Sequence, residues 1–313
     1  MNAPSLPQDQ AARRRNAALP YVLLTLCMLF WAGNWVVGRA IRNDLPPVAL
    51  NFWRWLLAAL LLAPYALPRL KGKGALLRQH WRVLAALSFL GMVAFQCLVY
   101  TGLRQTTAIN AVLMNSALPL AMIVIVWLAN RQPATPRQFL GVALSLLGIL
   151  IIMNRGDLGA LRHFNVNRGD LIILAAMPVW GLYSVLLQRR PGELDGLTFL
   201  FVAALFALPI LAPLHIAEAL LIQAPILSWS AVGAVLYVGV FASVGAYVCW
   251  NRGVDLVGPN KAGFTYHLLP AFGTVLAVIF LGEEVHLFHV VGIATILAGV
   301  WLATAAPAGA ARG

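Results

Sequence analysis

The sequence predicts an all-α membrane protein: ten transmembrane helices arranged as two inverted five-helix repeats, with both termini cytoplasmic. Three observations lead there. The first is composition: 61% of the 313 residues are hydrophobic and 10% are charged. A soluble domain carries roughly 25% charged residues, so this surplus of apolar side chains needs lipid as its solvent. The second is a series of ten apolar runs, each near the ~20 residues that carry a helix across the hydrocarbon core. The third is internal. Shifted forward by 151 residues, the stretch from Tyr100 to Ile152 falls on the stretch that ends at Ala303. Gly102 then meets Gly253, Ala111 meets Ala262, Leu118 meets Leu269 and Pro119 meets Pro270; Gly141 meets Gly292 and Gly148 meets Gly299. Slightly shorter offsets place Trp31 on Trp180, Phe52 on Phe199 and Trp81 on Trp229. Several glycines and a proline under one ungapped shift mark a duplicated module.

Taken in order, residues 1–18 are polar, carry Pro4, Pro7 and Arg13-Arg14-Arg15, and read as a disordered cytoplasmic tail. The basic start resembles a signal peptide, but the apolar run after it is too long, contains Asn34 and offers no clear cleavage site. It reads as a retained first span. The first repeat, 19–153, holds apolar runs at 19–38, 47–67, 82–103, 108–128 and 137–153. A polar periplasmic linker covers 154–168. The second repeat, 169–306, holds runs at 170–187, 197–217, 229–250, 260–281 and 286–306, and 307–313 form a cytoplasmic tail. Helices are expected throughout, because lipid offers no partner to a free backbone amide.

Orientation follows from Lys and Arg in the short loops. With the N-terminus inside, 15 of the 22 basic residues fall on the cytoplasmic side, including Arg13-Arg14-Arg15, Arg69, Lys71, Lys73, Arg189 and Arg190. Six fall outside, and Arg54 lies within a span. Five spans per repeat is an odd number, so the second copy enters the membrane from the opposite side. That gives a pseudo-two-fold axis in the membrane plane, the symmetry by which many secondary transporters alternate access.

The net charge of +12 does not point to nucleic acid, since the basic residues sit in short clusters between apolar runs. The three cysteines, Cys27, Cys97 and Cys249, all lie in apolar runs without a close-spaced partner, so they read as packing residues, and no metal or cofactor is expected.

The opening Phe30-Trp31-Ala32-Gly33-Asn34-Trp35, its echo Val179-Trp180-Gly181-Leu182-Tyr183-Ser184, and the ending Leu281-Gly282-Glu283 with Gly292 and Gly299 resemble the drug/metabolite transporter superfamily in its two-repeat EamA-type form. The first half departs from that ending, with Asn130-Arg131-Gln132 where the acidic element would stand. The likeness covers nearly all of the chain after residue 18. It is similar in general character to amino-acid exporters of the YddG kind. It implies a multi-pass protein of a bacterial-type inner membrane that exports amino acids or related small metabolites. Its partners would be a small-molecule substrate and the bilayer, and its state a monomer or homodimer.

Polar groups inside spans are costly and are kept for packing or function. On the first helix Trp31, Asn34 and Trp35 share a face, and Trp180 with Tyr183 occupy the matched helix. Gln96 and Tyr100 share a face of the third run, as Tyr247 and Asn251 do on its counterpart; Asn110 and Asn115 lie on the fourth, Tyr266 and His267 on the ninth. These residues either line a central cavity of aromatic rings and hydrogen-bonding groups, or form interfacial aromatic belts and helix–helix contacts. Pro119 and Pro270 read as mid-span kinks, either gating or static. Gly141, Gly148, Gly292 and Gly299 read as a close helix-packing stripe, scaffold or dimer seam. Arg54 either snorkels to head groups, pairs structurally or meets a substrate carboxylate. His267 is expected deep in a span, as a proton site or a hydrogen-bonded core residue. The ten acidic residues all fall in tails, loops or helix ends, which disfavours export of lipophilic cations and proton coupling through a buried carboxylate. There is no His-Glu-x-x-His, Gly-x-Ser-x-Gly or P-loop, so an enzyme or ATP-driven pump is not indicated.

Overall fold

The computed structural model describes residues 7–118, 120–121, 124–125, 135–156, 167–257 and 264–304. Among them there is helix and no strand. The first half consists of α1 (Pro7–Ala40), α2 (Pro47–Leu70), α3 (Gly74–Leu103), α4 (Ala108–Asn115) and α5 (Pro136–Met153). The second consists of α6 (Arg168–Leu187), α7 (Gly196–Leu221), α8 (Trp229–Val257), α9 (Leu268–Leu281) and α10 (Leu287–Thr304). Seven helices are long and apolar enough to cross a membrane, and Thr265–Leu281 and Leu287–Ala303 are shorter apolar helices. A multi-pass membrane protein follows.

Local chemistry sets the helix starts. Thr107 caps α4 through Asn110 N at 3.1 Å. Thr135 and Gln138 cap each other at the start of α5. Asp195 caps α7 through Leu197 N at 3.1 Å and Thr198 N at 3.0 Å, and Ser228 caps α8. Two starts differ from the apolar pattern. α1 begins at Pro7, inside the stretch expected to be a tail, with proline in the first turn, where its missing N–H costs nothing. α3 begins at Gly74 rather than 82, because Ala75–Gln79 are good helix formers that carry the helix on past the apolar run.

α3 and α8 each contain a π-helical segment, Phe89–Ala94 and Tyr237–Gly245. Under the 151-residue shift the first falls on 240–245, inside the second. Each widens one turn and re-aims the side chains that follow.

α5 and α10 pack antiparallel. A Cβ on Gly141 would lie 2.6 Å from Gly299 O, and one on Gly148 would lie 2.7 Å from Gly292 O. The repeat shift maps Gly141 to Gly292 and Gly148 to Gly299, so it exchanges these two contacts. Ser145 Oγ donates to Ile296 O at 2.8 Å across the same seam. The glycine stripe is thus spent within one chain. Replacing Gly141 with Val should cost about 1–3 kcal/mol through overpacking. A lower Tm of the purified protein in detergent is the expected readout, and an unchanged Tm would show that the seam yields freely.

Candidate functional site

A cavity lies between the two halves. About 570 Å³ is free of atoms, its open mouth included, and about 60 Å³ accepts the centre of a water molecule. Its walls reproduce the duplication. Trp31 and Trp180, Gln96 and Tyr247, Asn115 and Tyr266, and Leu118 and Leu269 are matched pairs in the sequence, and all eight line the cavity. The halves differ in what they offer. The first supplies Asn34, Arg54, Gln96 and Asn115; the second supplies Trp180, Tyr247 and Tyr266. The amide and guanidinium groups therefore come from one side, while aromatic rings come from both, Trp31, Trp35 and Phe95 being the first half's; among the described residues no acidic side chain lines the cavity.

The aromatic wall is assembled from several helices. Trp31 lies 5.8 Å from the rings of Tyr247, Trp250 and Tyr266, and Phe95 lies 4.6 Å from Trp180. Tyr266 reaches its place because of Pro270. A proline ring cannot follow an α-helical carbonyl four residues earlier, and the chain there forms a 3-10 turn, Phe264–His267, before α9. Pro270 therefore sits in the first turn of α9 rather than at a mid-helix kink, which corrects the expectation for that residue. Pro119 lies outside the described residues.

The polar wall centres on Arg54, which is 2% exposed. Its Nε donates to Ser243 Oγ at 2.6 Å, and Nη1 donates to Asn34 Oδ1 at 3.2 Å and Tyr100 Oη at 3.0 Å. Tyr100 Oη in turn donates to Asn34 Oδ1 at 2.6 Å. The snorkelling expectation for Arg54 fails, because its guanidinium points into the bundle. Ser243 is available because it lies in the π segment of α8, where it also donates to Val238 O at 2.8 Å.

Of the other residues singled out from sequence, Trp35 lines the cavity and Tyr100 lies behind it. Tyr183 is a second layer behind Trp180, at 4.9 Å. Asn110 accepts no cavity role: it is hydrogen-bonded to His289 Nε2 at 3.0 Å, tying α4 to α10. Asn251 lines a separate depression with Asp195 and Arg190 at the opposite end of the second half. His267 is exposed at the surface of the bundle and absent from the cavity wall, so it is not a buried core residue; among the described residues His289 is the buried histidine. Phe95 and Val99 also line the cavity and were not singled out, since in an apolar helix nothing separates an inward Phe or Val from a lipid-facing one.

The bundle is clipped at the end that carries the α1–α2 and α9–α10 loops. Glu283, just beyond α9, accepts from Ala108 N at 2.8 Å and Ile109 N at 2.9 Å, and lies 3.9 Å from Arg39 Nε. Glu218, in the last turn of α7, accepts from Val48 N at 3.2 Å and Ala49 N at 2.9 Å. Each carboxylate of the second half thus meets the positive N-terminal end of a helix in the first. At the other end, Lys73 Nζ donates to Glu193 O at 2.6 Å and Tyr65 Oη to Asp195 at 3.4 Å. Partial burial pushes the Asp195 carboxyl up. Hydrogen bonds from Thr198, Leu197 and Tyr65 outweigh it and hold it below the usual carboxylate range.

These features define a helical membrane protein whose two repeats enclose a small polar-aromatic cavity. Comparison with known sequences gives the family. The model of the EamA-like transporter family matches residues 18–154 and again 167–305. The chain belongs to that family and is a membrane transporter of the drug/metabolite superfamily, not an enzyme. It is 25% identical over 287 residues to uncharacterized transporter YyaM of Bacillus subtilis, covering 91% of this chain and 93% of that one. It is 29% identical to an uncharacterized transporter of Archaeoglobus fulgidus, covering 91% and 97%. A solved crystal structure shares the fold at TM-score 0.59 and 20% identity, covering 91% of this chain and 96% of its own.

Two predictions follow from the clips. Glu218→Ala and Glu283→Ala should each destabilise the fold by about 1–2 kcal/mol, the range for a lost helix cap; a Tm in detergent equal to wild type for both would refute the capping role. Because its folded-state pKa is lowered, Asp195 stabilises the fold above the unfolded carboxylate range and ceases to as pH falls through its folded value. The Tm gap between wild type and Asp195→Asn should be present at neutral pH and close on acidification.

Proposed function

We propose that this protein exports amino acids, aromatic or broadly neutral, or closely related small metabolites, by alternating access across a bacterial-type inner membrane. In this reading ten spans form two inverted repeats, both termini lie in the cytoplasm, and the clipped end faces outward. The observation that carries the reading is the cavity, which sets amide and guanidinium groups of one half among aromatic rings of both. A small solute with a charged head and an apolar or aromatic tail matches that lining. The antiparallel α5–α10 seam supports the inversion, because its two glycine contacts exchange under the repeat. The basic excess on the loops at the other end supports the orientation.

Opening the outward end requires release of Glu283 from α4 and Glu218 from α2. Those contacts hold a charge against helix ends, so they can break when water enters. Among the described residues no carboxylate lines the cavity, which counts against lipophilic cations as cargo.

The test is uptake and efflux of a panel of labelled amino acids in liposomes holding the purified protein. Counterflow of at least one neutral amino acid is expected, inhibited by unlabelled amino acids. Trp180→Ala and Tyr266→Ala should each reduce it by about tenfold, the order of one lost aromatic anchor of about 1.4 kcal/mol. Inhibition by hydrophobic cations but not by amino acids would replace this reading with a multidrug exporter. Absence of flux for the whole panel would reject it.

A further inference from the structure

We infer that the cavity recognises the two charged ends of its substrate separately, with Arg54 as the carboxylate site and Gln96 with Asn115 as the ammonium site. The inference rests on the amino-acid reading and narrows it to substrates with a free carboxylate.

The carboxylate site follows from an unbalanced charge. An arginine stays protonated in a protein and offers five N–H donors. Arg54 spends them on neutral groups only: Ser243, Asn34, Tyr100 and, at 3.5 Å, the Ala242 carbonyl from Nη2. The last contact is at the limit of a hydrogen bond, so Nη2 keeps donor capacity. The Trp55 ring lies 4.9 Å from the guanidinium carbon and offsets part of the charge. Among the described residues the ion pairs are Arg39–Glu283 and His286–Glu284, and neither involves Arg54. A buried, uncompensated cation costs several kcal/mol. A ligand carboxylate would cancel that cost, and Arg54 lines the cavity where such a ligand would sit.

The ammonium site follows from the opposite deficit. Gln96 Oε1 and Asn115 Oδ1 are buried acceptors without a hydrogen-bond partner among the described residues, and both residues line the same cavity. An unmet buried acceptor costs about 1–3 kcal/mol. An α-ammonium supplies three donors, enough for both carbonyls. The head group then lies against these polar groups of the first half, and the side chain meets the aromatic rings that both halves contribute.

The experiment measures ligand-induced thermal shifts of the purified protein in detergent with four probes: L-phenylalanine, L-phenylalaninamide, 3-phenylpropionate and phenethylamine. Phenylalanine should bind most tightly, and the two probes lacking a carboxylate should bind about 10–100-fold more weakly, the order of one charge-assisted pair. Arg54→Gln should abolish the preference for phenylalanine over its amide, and Arg54→Lys should restore part of it. Gln96→Leu should weaken phenylalanine while leaving 3-phenylpropionate unchanged, and it tests the second site even if Arg54→Gln does not fold. Equal binding of the amide and the acid by wild type overturns the inference, as does failure of both carboxylate probes to bind. Should amino acids be translocated while the amide competes equally, the transport reading stands and this inference falls. Should 3-phenylpropionate bind through Arg54 while no amino acid is moved, the carboxylate site stands and the amino-acid reading falls.

Discussion

A guanidinium in the middle of an apolar bundle cannot lose its charge, so its surroundings must be built to hold it. Arg54 imposes that demand here, and helices α1, α3 and α8 answer it, making four with its own α2. Asn34 of α1, Tyr100 of α3, and Ser243 with Ala242 of α8 all converge on a residue of α2. Three of those helices belong to the first half and one to the second. The network therefore ties the two halves together inside the bundle, where lipid and apolar packing alone distinguish one arrangement from another only weakly. It also explains the π segment of α8. Without the extra residue of the π turn, residue 243 would be rotated by about 100° relative to the helix before it. The wide turn lets its hydroxyl serve both Val238 O and Arg54.

Duplication accounts for the scaffold and divergence accounts for the site. The α5–α10 seam uses residues that remain the same in both copies, because two backbones in contact leave no room for a Cβ on either side. The cavity wall uses matched positions whose chemistry has separated: Gln96 against Tyr247 and Asn115 against Tyr266. Packing needs symmetry, since each glycine faces its own repeat partner's neighbour. Recognition needs the opposite, because a symmetric pocket cannot tell the head of a small solute from its tail.

The helical membrane class and the repeat were legible in the sequence because they rest on hydropathy and on glycine spacing, which survive without any knowledge of contacts. Trp31, Asn34, Trp180, Tyr247 and Tyr266 were legible for the same reason: a polar or aromatic group at a helical spacing within a span needs a destination. What failed was rotation and the place where a helix begins. Asn110 and Asn115 lie on one short helix, yet one is absorbed by His289 and the other reaches the cavity, and five residues of sequence do not say which. His267 is adjacent to Tyr266 but points elsewhere, since neighbours on a helix diverge by about a quarter turn or more. The π segments were invisible because they change no residue type, only the count of residues in a turn. Pro270 was misplaced by assuming that its helix ran straight through the apolar run.

The repeat also shows what Arg54 is for by what stands opposite it. The offset that pairs Phe52 with Phe199 pairs Arg54 with Phe201, a buried phenylalanine in the second half. If the arginine served only to hold helices together, the structure already demonstrates the cheaper solution: at the equivalent place an aromatic ring fills the space and needs no partner. The second half packs at that place without a cation, so the helix does not by itself require one there. A cost of several kcal/mol that the same architecture avoids in its other copy is best explained by something the first copy must bind and the second must not.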